Sequence, residues 1–517
     1  MLPAVTLGTR STSTSPEAPS SNPGAAIPLP EGSKYADHVE MILDSVVIAV
    51  INPHSPASSG SPTNWAYRMI YNTLTYEDFY GNELKPQLAT RWDTSDHITY
   101  TFFLRDDVYF HNGEKFTAND VVYTCVTSQN IAVGSESYDV WNLVESVTAV
   151  NDYEVQFKLK NLDVDFPYKV AATWCSIVNK KAIDESDVEG YFIGTGPYKI
   201  AEFFSRDYVT FVRNEEYWGE LPITRSQTWR TIPEVSTRAI FLQNGEADIC
   251  FEVSEGDIAM FKSMPDRFTV IPVPQNNTHS LQFNMQDSIA GDYNFRLAIA
   301  YAINREEINL MANGDTGEAV SEGTIWGRFT TYRNRSIPAI DQDIDLALQY
   351  LGQSAYNGEE LLLLVATVPP LVRAAEAIQE QLSNIGVKVK IEQKDIPSFM
   401  MATTWSEGGY QMVVWTNLLG ARTSDYRNNF YTAAVQNRMK FENQELNDLL
   451  DLEPTVPYGD EKQEICFRMQ EIVAEHIPAI NIWYRFLAVV TANGVGGMVL
   501  TWAGFACDMT MMYKIIE

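Results

Sequence analysis

Apolar positions change their spacing along the chain, and each change marks an element. Residues 41–50 form a short apolar run, which predicts a first strand ending at Asn52-Pro53. Residues 98–103 and 155–159 carry the apolar or alternating pattern of strands. Between them, residues 106–115 predict a hairpin with Asn112-Gly113 as its tight turn. Thr117 then stands where a helix over 117–126 needs its cap, with Asp120 three residues on.

The later pattern is more regular. A helix is expected over 233–243, with Pro233 in its first turn and Gly245 just beyond its end, followed by a strand over 247–251. Residues 294–311 predict one long helix with Leu297, Tyr301 and Ile308 on a shared face, stopped by Asn313-Gly314. A helix over 371–384 ends at Gly386, and Val387, Val389 and Ile391 then alternate as a strand. Residues 412–415 read as a buried strand, 462–475 as a helix facing inward through Ile465, Met469, Ile472 and Val473, and 479–490 as a long apolar strand. Recurring helix-then-strand units from about residue 233 predict α/β layers, with helices covering a sheet.

At 517 residues the chain exceeds what one hydrophobic core organises, so two lobes are expected. No repeat and no Pro/Gly-rich linker divides residues beyond 35, so the chain should pass between lobes through strands. Residues 11–30 are almost entirely Ser, Thr, Pro, Ala and Gly, a composition that buries no apolar surface. They fit either a plain tail or a tether. No basic region followed by an apolar stretch opens the chain, and no apolar run is long enough to span a membrane.

A net charge of −30 argues against nucleic acid as a partner, because phosphate binding needs a basic surface. Cys125, Cys175, Cys250, Cys466 and Cys507 are scattered without metal-ligand spacing and read mainly as buried apolar side chains, with one disulfide as the alternative. The six histidines form no H-E-x-x-H, and neither a nucleophile elbow nor a phosphate-binding glycine loop is present. Gly194-Thr195-Gly196 runs straight into Pro197 and reads as a tight loop. Carboxylates are too common in so acidic a chain to mark a glycosidase. An enzyme is therefore not expected, nor a cofactor or a metal site.

Residues 84–122 carry PQLATRWDTSDHITYTFFLRDDVYFHNGEKFTANDVV, and further stretches follow in order: GTGPYKI from Gly194, NEEYWG from Asn214, STRAIFLQNGEADI from Ser236, LQFNM from Leu281, FRLAIAYAINREEI from Phe295 and AAEAIQEQLSNIGVKVKI from Ala374. Together these resemble the family 5 extracellular solute-binding proteins, which include dipeptide-, oligopeptide- and nickel-binding members. The resemblance covers roughly residues 46–490. It implies an α/β, two-lobed, periplasmic-binding-protein-like fold of type II, in the large class with an inserted subdomain in lobe I and a ligand cleft between the lobes. By that resemblance residues 1–34 are a disordered tether, 35–274 are lobe I with the insertion at about 65–191, 275–487 are lobe II, and 488–517 return to lobe I. It implies capture of a peptide or peptide-like solute by lobe closure, and delivery to an ABC permease by a monomer. The protein would be extracytoplasmic, lipid-anchored at the surface of a Gram-positive bacterium or periplasmic, with any lipid-bearing cysteine preceding Met1. An oligosaccharide or a nickel chelate are alternative cargoes, and a ligand-sensing receptor or an enzyme with an unrecognised site are alternatives of another class.

Peptide-binding members of the family carry an amine-binding aspartate three residues after a strand-terminal tryptophan. Here the strand YQMVVW ends at Trp415 and the position holds Leu418, a departure from the pattern; Asp425 is the next acid and the candidate substitute. Trp415 is the leading site residue by that resemblance, with Asn417 beside it. Trp65, on a Ser/Pro/Gly-rich loop following His54, is expected to cover ligand from lobe I. Arg422 and Arg427 flank Asp425 as candidate forks for a ligand carboxylate, against the alternative of pairing with nearby acids. Trp326 is a further candidate at the cleft, whereas Trp405 reads as core.

Overall fold

A computed structural model describes residues 33–43, 48–55, 61–78, 83–130, 136–314, 316–404, 408–417, 426–503 and 507–516. The expected tail at 11–30 lies outside them. Eleven strands form one mixed sheet. Along its main path the order is Lys388–Lys394, Glu360–Ala366, Met412–Asn417, Phe268–Phe283, Ala479–Ala492, Ile249–Phe251, His38–Leu43, Ser226–Thr231, Tyr208–Arg213 and Tyr198–Phe204. The short strand Gly317–Ala319 pairs onto Ala479–Ala492 from the side.

The apolar runs explain the layering. Glu360–Ala366, with sequence ELLLLVA, is buried almost throughout, as a parallel strand covered on both faces must be. Helix Pro369–Asn384 covers it, burying Leu371, Ala374, Ala375, Ile378 and Leu382 at spacings of three and four. By contrast, Glu154–Leu159 alternates strictly, burying Val155, Phe157 and Leu159, and belongs to a separate four-stranded antiparallel sheet with one covered face.

The buried apolar residues separate into several cores. The larger and smaller cores built around Leu363 and Met469 draw only on residues 281–483. Those built around Met41 and Phe261 draw only on 39–273 and 487–512. A fifth, holding the four-stranded sheet, uses residues 74–177. The strands Phe268–Phe283 and Ala479–Ala492 are long enough to serve both sides: Phe268 and Val273 pack on one side and Leu281 and Phe283 on the other, as do Leu487 and Val489 against Ile480 and Ile482. Among the described residues the chain thus makes two bodies joined through continuous strands.

Several elements differ from expectation. The first strand is His38–Leu43, earlier than the apolar run suggested, because its parallel partner Ser226–Thr231 pairs from His38 onward. The hairpin at 106–115 reduces to one bridge between Tyr109 and Lys115, although Gly113 takes the left-handed turn conformation at φ +84°. The expected long helix is two helices, Tyr293–Ala302 and Arg305–Asn313. Asn304 breaks it by accepting the Glu307 N–H at 3.1 Å, so its side chain starts a second helix where apolar spacing alone ran on. All five cysteines are buried and free, so no disulfide forms.

Candidate functional site

The two crossing strands pair in register from Phe268–Ala492 to Pro274–Phe486, slip, resume at Thr278–Tyr484 and His279–Trp483, and shift once more before Ser280–Asn481. The slip falls at the boundary between the two bodies. Asn276, 1% exposed, ties the segments that meet there. Its backbone N–H donates to the Trp502 carbonyl at 3.3 Å, its Oδ1 accepts the Phe329 N–H at 2.9 Å, and its Nδ2 donates to Thr330 Oγ1 at 3.3 Å. The rings of Phe329 and Trp502 stack, 5.6 Å apart and 17° from parallel. Gly327 permits this approach, since a Cβ there would lie 2.2 Å from Asn276 Oδ1.

Strand Met412–Asn417 pairs with the crossing strand immediately past the slip, setting Trp415 opposite Ser280 and Asn417 opposite Thr278. It runs parallel to Glu360–Ala366, so its carboxyl end is the edge of the sheet that meets the boundary. Open α/β sheets present ligands at that edge. Trp415 is partly buried there, its ring 4.7 Å from Phe399 and the Arg438 guanidinium 5.6 Å from its centroid. Arg438 is 6% exposed, and no carboxylate pairs with it among the described residues. Its Nη2 reaches Met400 Sδ at 2.9 Å and its Nη1 the Gln436 carbonyl at 3.3 Å, while Nε has no acceptor. Burial lowers its pKa to about 10, which leaves it cationic at neutral pH. Sequence reasoning missed this residue because its charge carries no local pattern.

His279 lies on the same floor. It stacks on Trp483 at 4.5 Å, and its Nδ1 stands 2.9 Å from Thr416 Oγ1. Burial, and then the positive charge of Arg485, hold its pKa down at about 3, so the imidazole is neutral.

A second contact joins the core of the four-stranded sheet to the core around Met469. Asp165, at the start of the short helix Phe166–Lys169, accepts the Tyr458 hydroxyl at 2.8 Å. Lys462 lies 3.1 Å from Glu453 and 3.7 Å from Asp165, and all three side chains are at most 1% exposed. The Val164 N–H donates to the Pro454 carbonyl at 3.2 Å beside them.

The expected site residues fall in different surroundings. Leu418, Arg422 and Asp425, like Trp405, lie outside the described residues, and Asn417 is described in its backbone alone. Arg427 pairs with Asp451 at 2.6 Å and covers the Tyr431 ring at 3.8 Å, which engages its charge within the protein. Trp326 is fully buried against Tyr426, at 4.4 Å, and Phe430, at 5.1 Å, within the core around Met469. Trp65 is on helix Ser61–Ile70, not on a loop, and is 2% exposed with its ring 4.6 Å from Phe251. The anticipated insertion ends, Trp65 and Tyr191, both pack in the neighbouring core around Met41. No group of three or more His, Cys, Asp or Glu side chains that could hold a metal ion occurs among the described residues. Nor is any described helix long and apolar enough to cross a membrane.

Comparison with known proteins bears on the arrangement. The profile of the bacterial extracellular solute-binding proteins, family 5 Middle, matches residues 83–439. The dipeptide-binding protein of Escherichia coli is 24% identical over 480 residues, covering 86% of this chain and 89% of that one. The nickel-binding periplasmic protein of the same organism is 27% identical over 374 residues, covering 67% and 69%. Among solved structures, the ABC transporter substrate binding protein CtaP from Listeria monocytogenes superposes with a TM-score of 0.83 at 23% identity, covering 93% of this chain and all of that one.

Proposed function

We propose, from the premise that this chain belongs to the bacterial extracellular solute-binding proteins of family 5, that it is the solute-binding component of an ABC importer and carries a peptide or peptide-like solute. The observation that carries this reading is the Trp415 strand, which ends against the register slip where two separately packed bodies meet. Lobe I would be 35–274 and 488–517, and lobe II 275–487, a division supported by the partition of the cores. Solute bound between them stabilises the closed arrangement through contacts to both. The protein acts by binding and not by catalysis, as a monomer outside the cytoplasm, with the tail at 11–30 as the tether of a lipid anchor.

Trp415 supplies a flat apolar face, and Arg438 beside it a buried guanidinium for a carboxylate of the solute. Calorimetric titration with di- to hexapeptides should give saturable binding. Trp415→Ala should weaken it by about 2 kcal/mol, roughly 30-fold, as expected of a buried aromatic anchor. Equal affinity in the variant would make Trp415 a core residue. Arg438→Met should weaken peptides with a free C-terminus by about tenfold, the loss of one charged hydrogen bond, and C-terminally amidated ones much less. A uniform loss would make its role structural.

The nickel-binding relative supports a second reading, in which the cargo is a metal chelate. Binding of nickel chelates or oligosaccharides in the same titration, with peptides inert, would keep the family and replace the ligand class.

A further inference from the structure

The body packed around Met41 holds a second cavity, of about 200 Å³. It lies between helix Ser61–Ile70, the beginning of the four-stranded insertion and the segment around Asp508, and no residue of 275–487 lines it. Two opposite charges, Arg68 and Asp508, line it without forming a salt bridge with each other. Arg68 makes no hydrogen bond or ion pair with any described residue, and its Nε is shut off from solvent without an acceptor. Its guanidinium lies 5.3 Å from the Tyr76 ring centroid, and its charge also acts on the Cys507 thiol. Buried donors are normally satisfied, so the unmet Nε of this half-buried guanidinium leaves room for an acceptor in the cavity.

Asp508 is the counterpart. Its Oδ1 accepts both the Thr510 N–H at 2.8 Å and the Thr510 hydroxyl at 2.6 Å, which fixes the carboxylate and leaves Oδ2 uncommitted. Tyr76 and Tyr217 also line the cavity, and burial above all, with Asp508's charge adding to it, pushes both phenols up to about 12. They therefore remain neutral O–H groups near the carboxylate. Glu220, exposed at the edge, adds negative charge to the same wall. A molecule with one carboxylate and one ammonium a few bonds apart would satisfy both ends, and the cavity is of amino-acid size.

We propose that this cavity is a second solute site that takes a small α-amino-acid zwitterion, its carboxylate on the Arg68 fork and its ammonium on Asp508. The pairing of a fixed guanidinium with a carboxylate is bidentate and directional. The site is independent of the cleft and of whatever the cleft carries.

Titration of the full chain with L-alanine, L-serine and L-glutamate tests it, using the wild type, Arg68→Met, Asp508→Asn and Trp415→Ala. Arg68 holds nothing else in place, and the side-chain amide introduced by D508N keeps an acceptor for Thr510, so both variants should fold with unchanged thermal midpoints. At least one amino acid should bind the wild type and W415A alike, and at least tenfold more weakly to R68M and D508N. Propionate and ethylamine, each carrying half of the zwitterion, should bind more weakly than the amino acid. Absence of binding by the wild type at millimolar concentration, or equal binding by R68M and D508N, overturns the proposal. So does binding lost in W415A, which would place the zwitterion in the cleft.

Discussion

Acidification from pH 7 to pH 5 should cost the folded protein about 6 kcal/mol, through three histidines that the fold holds neutral, two of them buried and His111 partly so. Burial lowers His54 and His111 to about 4 and His279 to about 3. His54 is fully buried with its ring edge-on to Tyr191, 6.1 Å away. His111 accepts the Gly194 N–H on Nδ1 and lies 3.0 Å from the Gly196 carbonyl through Nε2, so a second proton on Nδ1 would break a bond the loop relies on. In the unfolded chain all three titrate near 6.5. Below that value the unfolded state binds more protons, and stability falls as pH drops, until the folded-state values are reached near 4 for two residues and near 3 for His279. Each contributes about 2 kcal/mol of loss at pH 5. That total rivals the net stability of an ordinary domain, so unfolding should set in well above pH 4. Denaturant midpoints measured between pH 7 and pH 5 should show the slope, and His279→Phe, which preserves the stack on Trp483, should remove about a third of it. A slope unchanged in that variant would mean that His279 titrates freely.

Replacing Lys462 by Met should weaken solute binding by about 3–5 kcal/mol, the usual consequence of leaving buried charges without their partner. Asp165 adjoins Phe166 in the core of the four-stranded sheet, whereas Glu453, Tyr458 and Lys462 flank Val456 and Ile465 in the core around Met469. With the ammonium gone, two carboxylates would face each other at a contact that excludes water. The protein escapes by separating the lobes, where each carboxylate regains solvent. The variant should therefore lose affinity of a hundredfold or more while its ligand-free thermal midpoint hardly moves. Adding Asp165→Asn and Glu453→Gln should recover most of the loss, because it removes the charges stranded by K462M. A midpoint that falls in step with affinity would instead make Lys462 a support of lobe II alone.

Local pattern explains what could be read in advance. The run ELLLLVA and the spacing in helix Pro369–Asn384 announce a covered parallel strand, and both are found. Asn304 is legible in principle, since N-R-E-E is a helix start, but Tyr301 and Ile308, seven residues apart, continue the apolar face through it. Trp65 reads as a loop residue because the flanking Ser, Pro and Gly outweigh the helical spacing of WAYRMI. Trp326 has no local signal: its partners Tyr426 and Phe430 are distant in sequence and meet it only in the folded core. The same holds for the contact at Asp165, whose partner Tyr458 is 293 residues away. Such sites arise from tertiary packing, which composition and periodicity do not encode.

Small-angle X-ray scattering with and without a bound solute tests the central claim, capture by lobe closure. With a solute found by titration, the radius of gyration of the wild type should shrink on saturation. K462M without solute should be at least as expanded as the free wild type. Saturable binding at the Trp415 cleft with no change in the scattering curve would contradict the account, because the solute would then be held without bringing the lobes together.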